Sequence, residues 1–262
     1  LPPEVEPDPR PLGKLEVRGL TFAYAGEREP TIRDLSLTVG PGERVALVGE
    51  VGAGKSTLVQ LISRLYEPPP GTIFLGGRDV LEIPLDELRR DLGVVPQESF
   101  LFSRTIRENV SLRRPQALDE ELADAVERAH LATDLDRFPE GLETVVGERG
   151  VTLSGGQRQR VALARALMTG PSLLLLDDAL SSVDSDTEQA ILDRFLKGAG
   201  GRGCLFVSHR LSTLAGMDRI VVLKDGRVAE EGTHEALLAN EDGAYRRLFL
   251  RRQIERSLEE GA

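Results

Sequence analysis

The chain has 262 residues and a formal net charge of −10 at pH 7, from 33 basic and 43 acidic side chains. Hydrophobic residues make up 40% of it, enough for a sizeable core, and the longest apolar runs, such as residues 173–176, are far too short for a transmembrane helix. The acidic balance argues against broad nucleic-acid binding, and the single cysteine, Cys204, excludes an internal disulfide framework.

Residues 1–13 hold five prolines, a composition that excludes a helix or an inner strand and predicts an extended tether. The first residue is Leu rather than Met. We therefore expect the chain to be a piece of a longer protein, with the tether leading in from a preceding domain. Residues 14–250 are predicted to form the main domain and residues 251–262 a charged C-terminal tail.

The pattern of apolar residues predicts an α/β fold with two kinds of sheet. Alternating apolar residues between positions 15 and 39 predict strands of a half-buried antiparallel sheet. Further along, nearly continuous apolar runs are typical of the buried strands of a parallel sheet. These runs are residues 44–48, 93–95, 173–176, 205–207 and 220–223.

The segment between the second and third of these buried runs is predicted to be helical. Its clearest helical patterns are residues 119–129 and 154–168, so a helical subdomain is expected over about residues 98–170. Residues 224–227 predict a hairpin turn, and residues 243–259 a charged helix.

A glycine-rich loop lies between a predicted buried strand and a predicted helix. Residues 49–56 read GEVGAGKS and fit the phosphate-loop pattern G-x-x-x-x-G-K-[ST] in the context that this pattern requires. Lys55 is expected to reach the β- and γ-phosphates and Ser56 to ligate Mg²⁺. A glycine-rich turn with a chance lysine is the alternative. The predicted nucleotide-binding residues here are Gly49, Glu50, Val51, Gly52, Ala53, Gly54, Lys55, Ser56 and Thr57.

A carboxylate is expected beside this loop. The apolar run at residues 173–176 ends in Asp177. The carboxyl ends of parallel strands meet at one edge of the sheet, so Asp177 is predicted to hold Mg²⁺ there. The alternative is an aspartate that only caps the next helix.

Residues 153–157 read LSGGQ, and this run resembles the signature of the ATP-binding-cassette (ABC) ATPases. The resemblance implies a P-loop NTPase core with a mostly parallel sheet, an N-terminal antiparallel β-subdomain and a helical signature subdomain. It also implies a head-to-tail dimer of nucleotide-binding domains, in which each ATP lies between the phosphate loop of one and the signature of the other. The signature residues expected to contact ATP are Ser154, Gly155, Gly156 and Gln157.

Other motifs follow in the family's order over about residues 15–248. By this resemblance, Tyr24 stacks on adenine, and Gln97 contacts Mg²⁺ and the attacking water. Residues 181–184 match the loop that crosses the dimer interface, and His209 matches the switch histidine at the γ-phosphate.

Two segments resemble segments of ABC exporters. Residues 144–150 resemble an element found in exporters rather than importers, and Phe100, Leu101 and Phe102 are expected to line a groove for a short helix of a transmembrane domain. The implied role is at the cytoplasmic face of the membrane, where ATP binding closes the dimer and hydrolysis resets it.

Asp178 stands where the family normally has the glutamate that polarises the attacking water. Because aspartate is one methylene shorter, and a misplacement of about 1 Å can cost on the order of a hundredfold in rate, we expect a slow site. Full activity is the alternative. An intact signature beside a weak carboxylate resembles one half of a heterodimeric exporter from a thermophile, whose partner carries Glu and a poorer signature.

Three rival functions stay open at this point. A DNA-repair ATPase of the same superfamily is disfavoured by the absence of heptads and by the acidic charge. An importer ATPase encoded as a free chain is the second. A regulatory module that binds ATP without turnover is the third, because of Asp178.

Overall fold

The computed structural model describes residues 13–147, 150–183, 187–188, 190–191, 202–208 and 210–260. The predicted tether, except for Gly13, lies outside the described residues, as do Asp184 and His209. No helix within these ranges is long and apolar enough to cross a membrane.

Strands predominate at the start of the described chain, and helices in its middle. The strands are β1 (Leu15–Phe22), β2 (Ile32–Val39), β3 (Arg44–Gly49), β4 (Ile73–Leu75), β5 (Arg78–Asp79), β6 (Leu92–Val95), β7 (Leu173–Asp177), β8 (Gly203–Val207), β9 (Arg219–Lys224) and β10 (Arg227–Gly232). The helices are α1 (Lys55–Ile62), α2 (Leu85–Asp91), α3 (Ile106–Val110), α4 (Asp119–Arg128), α5 (Ala132–Leu135), α6 (Gly155–Met168), α7 (Leu211–Ala215), α8 (His234–Ala239) and α9 (Ala244–Glu260).

The first sheet is antiparallel, in the order β2-β1-β4-β5. Leu15 pairs with Val39 and Val17 with Leu37, so the buried sides of β1 and β2 coincide, as their alternation predicted. The antiparallel β-subdomain is thereby confirmed. Strands β4 and β5 were not predicted, because runs of three and two residues are too short to show a period.

The second sheet has the order β10-β9-β3-β8-β7-β6, and only β10 pairs antiparallel to its neighbour. Each predicted buried run forms one of its strands. The loop after β3 therefore emerges from the interior of the sheet, and the end of β7 lies two strands away from it. The mostly parallel core is confirmed.

Successive residues of the central strands enter two different hydrophobic clusters, as the period of a strand requires. Val45 and Leu47 join the cluster shared with the antiparallel sheet and α1. Ala46 and Val48 join the cluster shared with α3, α4 and α6. The sheet is therefore covered on both faces, which explains its continuous apolar runs. Cys204 is buried in the second of these clusters.

Candidate nucleotide-binding site

The predicted phosphate loop joins the buried strand β3 to helix α1. A Cβ at Gly49 would collide with the carbonyl oxygen of Leu223 on β9, so only glycine fits there. Gly54, at φ 96°, precedes α1 in the left-handed region, and no side chain caps this helix. The first backbone N–H groups of α1 are therefore left for another acceptor.

Lys55 is folded back onto its own loop. Its Nζ donates to the backbone oxygens of Gly49, at 3.0 Å, and of Glu50, at 2.8 Å. Burial lowers the pKa of Lys55, and the charge of Asp177 opposes that shift. Among the described residues, the hydrogen bonds of Lys55 go to neutral carbonyls and Asp177 compensates the buried charge only in part, so an anion in the loop would stabilise it.

Two carboxylates follow strand β7 at the same edge of the sheet. Burial raises the pKa of Asp177, whose side chain is 8% exposed, while a hydrogen bond from Ser56 and the charge of Lys55 lower it. The structure therefore brings Lys55, Ser56 and Asp177 together, as the sequence predicted.

Asp178 is fixed by its backbone. Its φ of 49° lies in the left-handed region, its N–H donates to the Val207 carbonyl at 2.8 Å, and its own carbonyl accepts from Ser181 N at 3.1 Å. Burial raises the pKa of the Asp178 side chain, and the nearby Arg210 is the strongest opposing charge. Asp178 thus lies in the same charged cluster as Asp177 and Lys55.

The ring of Tyr24 is held from two directions. Its hydroxyl lies 3.0 Å from Thr57 Oγ1 and donates to Gln60 Oε1 at 2.9 Å, both on α1. Phe22 and Tyr66 contact the ring edge-on, with centroids 5.2 and 5.0 Å away. Sequence reasoning missed Gln60 and Tyr66, since nothing in their local pattern points to Tyr24.

The rim of the phosphate loop faces outward. Val51 is 94% exposed, and Glu50 and Gly52 beside it are exposed as well. A cavity of about 420 Å³ separates this rim from the turn between β9 and β10 and from α9. Val51 is therefore an exposed apolar side chain at the tip of the loop, in a position to contact another molecule.

The signature residues open helix α6. Ser154 Oγ accepts from the N–H of Gln157 at 3.2 Å, and Gln157 Oε1 accepts from the N–H of Ser154 at 2.9 Å, forming a capping box. Helix α3 carries the same cap with Thr105 and Glu108. The cap alone is therefore a structural feature and does not mark a ligand site.

Gln97 lies on the signature side of the molecule. It is exposed and lines a cavity of about 390 Å³ together with Gly155, Gln159 and Ser182. Its predicted contact with Mg²⁺ and water at the phosphate loop stays a prediction. So does the role of His209, which lies outside the described residues.

The ABC transporter family model matches residues 32–181, more than half of the chain. The chain belongs to the ABC transporter family. A probable multidrug resistance ABC transporter ATP-binding/permease protein of Bacillus subtilis, YheI, is 42% identical over 260 residues, which cover 99% of this chain and 44% of that protein. The mitochondrial iron–sulfur clusters transporter ATM1 of Kluyveromyces lactis is 42% identical over 238 residues, which cover 90% of this chain and 33% of that protein.

A solved structure agrees with these relatives. The structure of a bacterial Atm1-family ABC exporter with ATP bound superposes with a TM-score of 0.86 at 42% identity, covering 92% of this chain and 42% of that chain. The predicted resemblance to ABC exporters is confirmed. The chain spans less than half the length of the relatives that it matches.

The structure corrects one part of the predicted exporter groove. Phe100 and Phe102 are exposed, and their rings meet edge-on at 5.1 Å. Leu101, predicted to be exposed between them, instead packs against the core cluster of α3, α4 and α6.

The family implies Mg²⁺, and the residues present fit it. The Ser56 hydroxyl and the Asp177 carboxylate are hydrogen-bonded neighbours and supply the hard oxygen donors that Mg²⁺ prefers. In the described ranges, no cluster of three or more His, Cys, Asp or Glu residues could hold a metal ion by itself. Phosphate oxygens and water would therefore complete the coordination, as is usual for this ion.

Proposed function

We propose that this chain is the ATP-binding and ATP-hydrolysing motor domain of an ABC exporter, acting at the cytoplasmic face of the membrane. The observation that carries this is the cluster of Lys55, Ser56 and Asp177 at the carboxyl edge of the parallel sheet, in which both charged residues are buried. On the same chain, the start of α6 supplies a second, separate glycine-opened helix end. A 42% identical exporter structure with ATP bound supports the same reading.

Nucleotide binding follows from the loop geometry. The phosphates of ATP would replace the carbonyls of Gly49 and Glu50 as partners of Lys55, and the uncapped N–H groups of α1 would donate to them. Mg²⁺, held by Ser56 and Asp177, supplies charge neutralisation of the phosphate oxygens. Tyr24, fixed by Thr57 and Gln60, is the candidate for stacking on adenine.

Hydrolysis requires a base or a polarising group for water, and Asp178 is the candidate. Its backbone is anchored to Val207 and Ser181, so the shorter side chain cannot be compensated by a simple shift of the strand end. The site is then slow, and the domain pairs with a second, non-identical nucleotide-binding domain that carries Glu and a weaker signature. A transmembrane domain contacts it through short coupling helices near Phe100 and Phe102.

The first test is Asp178→Glu in the assembled transporter. With the partner's catalytic glutamate removed, so that only this chain's site is counted, we expect phosphate release to rise roughly ten- to a hundredfold, because the longer carboxylate recovers about 1 Å of reach. ATP affinity of the chain, measured by calorimetry, serves as the control and should change little. Unchanged turnover with intact ATP binding would contradict the slow-site proposal.

The second test addresses the head-to-tail arrangement. Ser154→Arg is expected to reduce hydrolysis at the partner's site by roughly a hundredfold while this chain still binds ATP. Thr105→Arg is the matched control, because it removes the same type of cap from α3 without touching the signature. Equal losses of ATP occupancy at both sites in Ser154→Arg would count against the sandwich.

A regulatory half that binds ATP without turnover is the second candidate function, favoured by Asp178 alone. It predicts ATP binding without phosphate release even beside the partner. The Asp178→Glu experiment separates it from a slow motor, because a wild-type rate above background with the partner's catalytic glutamate removed excludes it.

A further inference from the structure

The loop at residues 181–183 lies between the signature helix and the end of strand β7. A Cβ at Gly156 would come within 2.8 Å of the Ser182 carbonyl oxygen, so the loop packs directly on the start of α6. Ser181 N donates to the carbonyl of Asp178 at 3.1 Å. The loop therefore touches both predicted functional ends of the chain.

Gln159 holds the loop from the signature side. This glutamine of α6 is buried and uses both ends of its amide on the loop. Its Nε2 donates to Ser181 Oγ at 3.0 Å, and its Oε1 accepts from Ser182 N at 2.9 Å. Satisfying a buried amide in this way fixes two successive loop residues.

Arg210 holds the same loop from the opposite side. Its guanidinium donates to the carbonyls of Ser181 and Val183, at 2.7 and 2.6 Å, and to Glu188 Oε2 at 2.7 Å. Glu188 is 1% exposed and also accepts a hydrogen bond from Thr213. Three partners on one planar fork restrain the guanidinium in position and orientation.

Arg210 is itself joined to the end of strand β8. Its backbone N–H donates to Ser208 Oγ at 3.1 Å, directly after β8, whose last residue Val207 accepts from Asp178 N. A continuous chain of hydrogen bonds thus runs from the first turns of α6, through the loop, to the strand ends beside Asp178.

We propose that Gln159 and Arg210 are positioning residues that clamp the 181–183 loop, so that the signature end of α6 and the Asp178 end of the sheet keep one fixed geometry. Their role in turnover depends on the proposed function. The clamp itself does not, because it is a property of the free chain.

Amide hydrogen exchange on the 262-residue chain tests the clamp directly. Arg210→Lys keeps the charge beside Glu188 but loses the planar fork, and Gln159→Met keeps length without polar atoms. We expect Arg210→Lys to speed exchange of the Ser182 N–H, which bonds Gln159 and not Arg210, by roughly fivefold. Gln159→Met should likewise speed exchange of the Val183 N–H, which bonds Leu180.

The matched control is Arg219→Lys. The Arg219 guanidinium also donates hydrogen bonds to three partners, Glu43, Glu231 and the Thr38 carbonyl, at the opposite edge of the same sheet. It should leave exchange in residues 181–183 unchanged. The clamp is overturned if Gln159→Met speeds only the Ser182 N–H, which Gln159 bonds itself, and Arg210→Lys speeds no amide of the loop. It is also overturned if Arg219→Lys has the same effect as Arg210→Lys.

Turnover in the assembled transporter gives the second readout. Each clamp variant should lower kcat about tenfold with ATP affinity within about twofold of wild type. The double variant should lose little more than the worse single variant, because both act on one loop. Additive losses, or a kcat unchanged in both variants, would overturn the positioning role. If the wild-type chain does not bind ATP, the proposed function is refuted. The hydrogen-exchange result still tests the clamp in that case, because it is measured on the free chain.

Discussion

The six-stranded sheet carries charged residues at both ends of its parallel strands, which we call the amino edge and the carboxyl edge. The pKa values of these residues are shifted in opposite directions at the two edges. At the amino edge, Arg44 donates to both carboxylate oxygens of Asp218, and Arg219 joins Glu43 and Glu231. The hydrogen bond from Arg44 lowers the pKa of Asp218. Burial is the largest influence on Glu43 and raises its pKa, but the hydrogen bonds from Arg219 and the Gly40 N–H, together with the charge of Arg219, outweigh it, so the pKa is lowered.

At the carboxyl edge, every shift runs the other way. Burial lowers the pKa of Lys55 and raises the pKa of Asp177 and of Asp178. At the amino edge the pKa shifts thus favour the charged forms of the side chains, whereas at the carboxyl edge they disfavour them. Such a cluster gains most from a ligand that brings charge of its own, here a nucleotide with its cation.

The largest expected effect comes from removing the cation of the carboxyl edge. Lys55→Ala should reduce ATP affinity by about a hundredfold or more, because charge-assisted bonds to phosphate are lost. Calorimetric titration with ATP measures this. Lys14→Ala, whose side chain is 41% exposed and pairs with Glu16 at the start of β1, is the control and should bind normally. Undiminished affinity in Lys55→Ala would remove the phosphate-loop assignment.

Asp177→Asn should separate stability from activity. We expect hydrolysis at this chain's own site, measured with the partner's catalytic glutamate removed, to fall by roughly two to three orders of magnitude through loss of the metal ligand. The thermal midpoint of the ligand-free chain should stay the same or rise, because a buried carboxylate with a raised pKa is replaced by a neutral isostere. A clear loss of stability would mean that Asp177 is a structural residue like those of the amino edge.

The phosphate loop could be predicted because its signal is local. A buried strand, glycines that permit left-handed backbone, and a helix follow one another between Arg44 and Ile62. The alternation of β1 and the continuous apolar runs of the parallel sheet were readable for the same reason. Strands β4 and β5 and the short helix α2 were not, since they are too brief to show a period.

The remaining features of the site depend on contacts between distant segments. Tyr24 is fixed by Gln60, 36 residues away, and Ser181 accepts from Arg210 across 29 residues. Nothing in the sequence near either residue specifies these partners. The position of Gln97 beside the signature was missed for the same reason, because it depends on how the helices pack against the sheet.

The smallest expected effect belongs to the amino edge and depends on pH. Asp218→Asn should cost about 1 kcal/mol or less in unfolding free energy at pH 7, because the pair with Arg44 is partly exposed. Since the folded-state pKa of Asp218 is lowered, the ionised carboxylate stabilises the fold above the unfolded pKa, near 3.8. That contribution is lost as pH falls through the folded value.

Denaturant unfolding of Asp218→Asn and wild type, at pH 7 and at decreasing pH, measures this difference. The two stabilities should converge in acid, while ATP affinity at pH 7 is the same in both. Lys55→Ala shows the reverse pattern, with affinity lost and little change in stability. If Asp218→Asn instead weakened ATP binding, the two edges would be energetically linked, and the division of the sheet into a stabilising edge and a ligand-binding edge would be wrong.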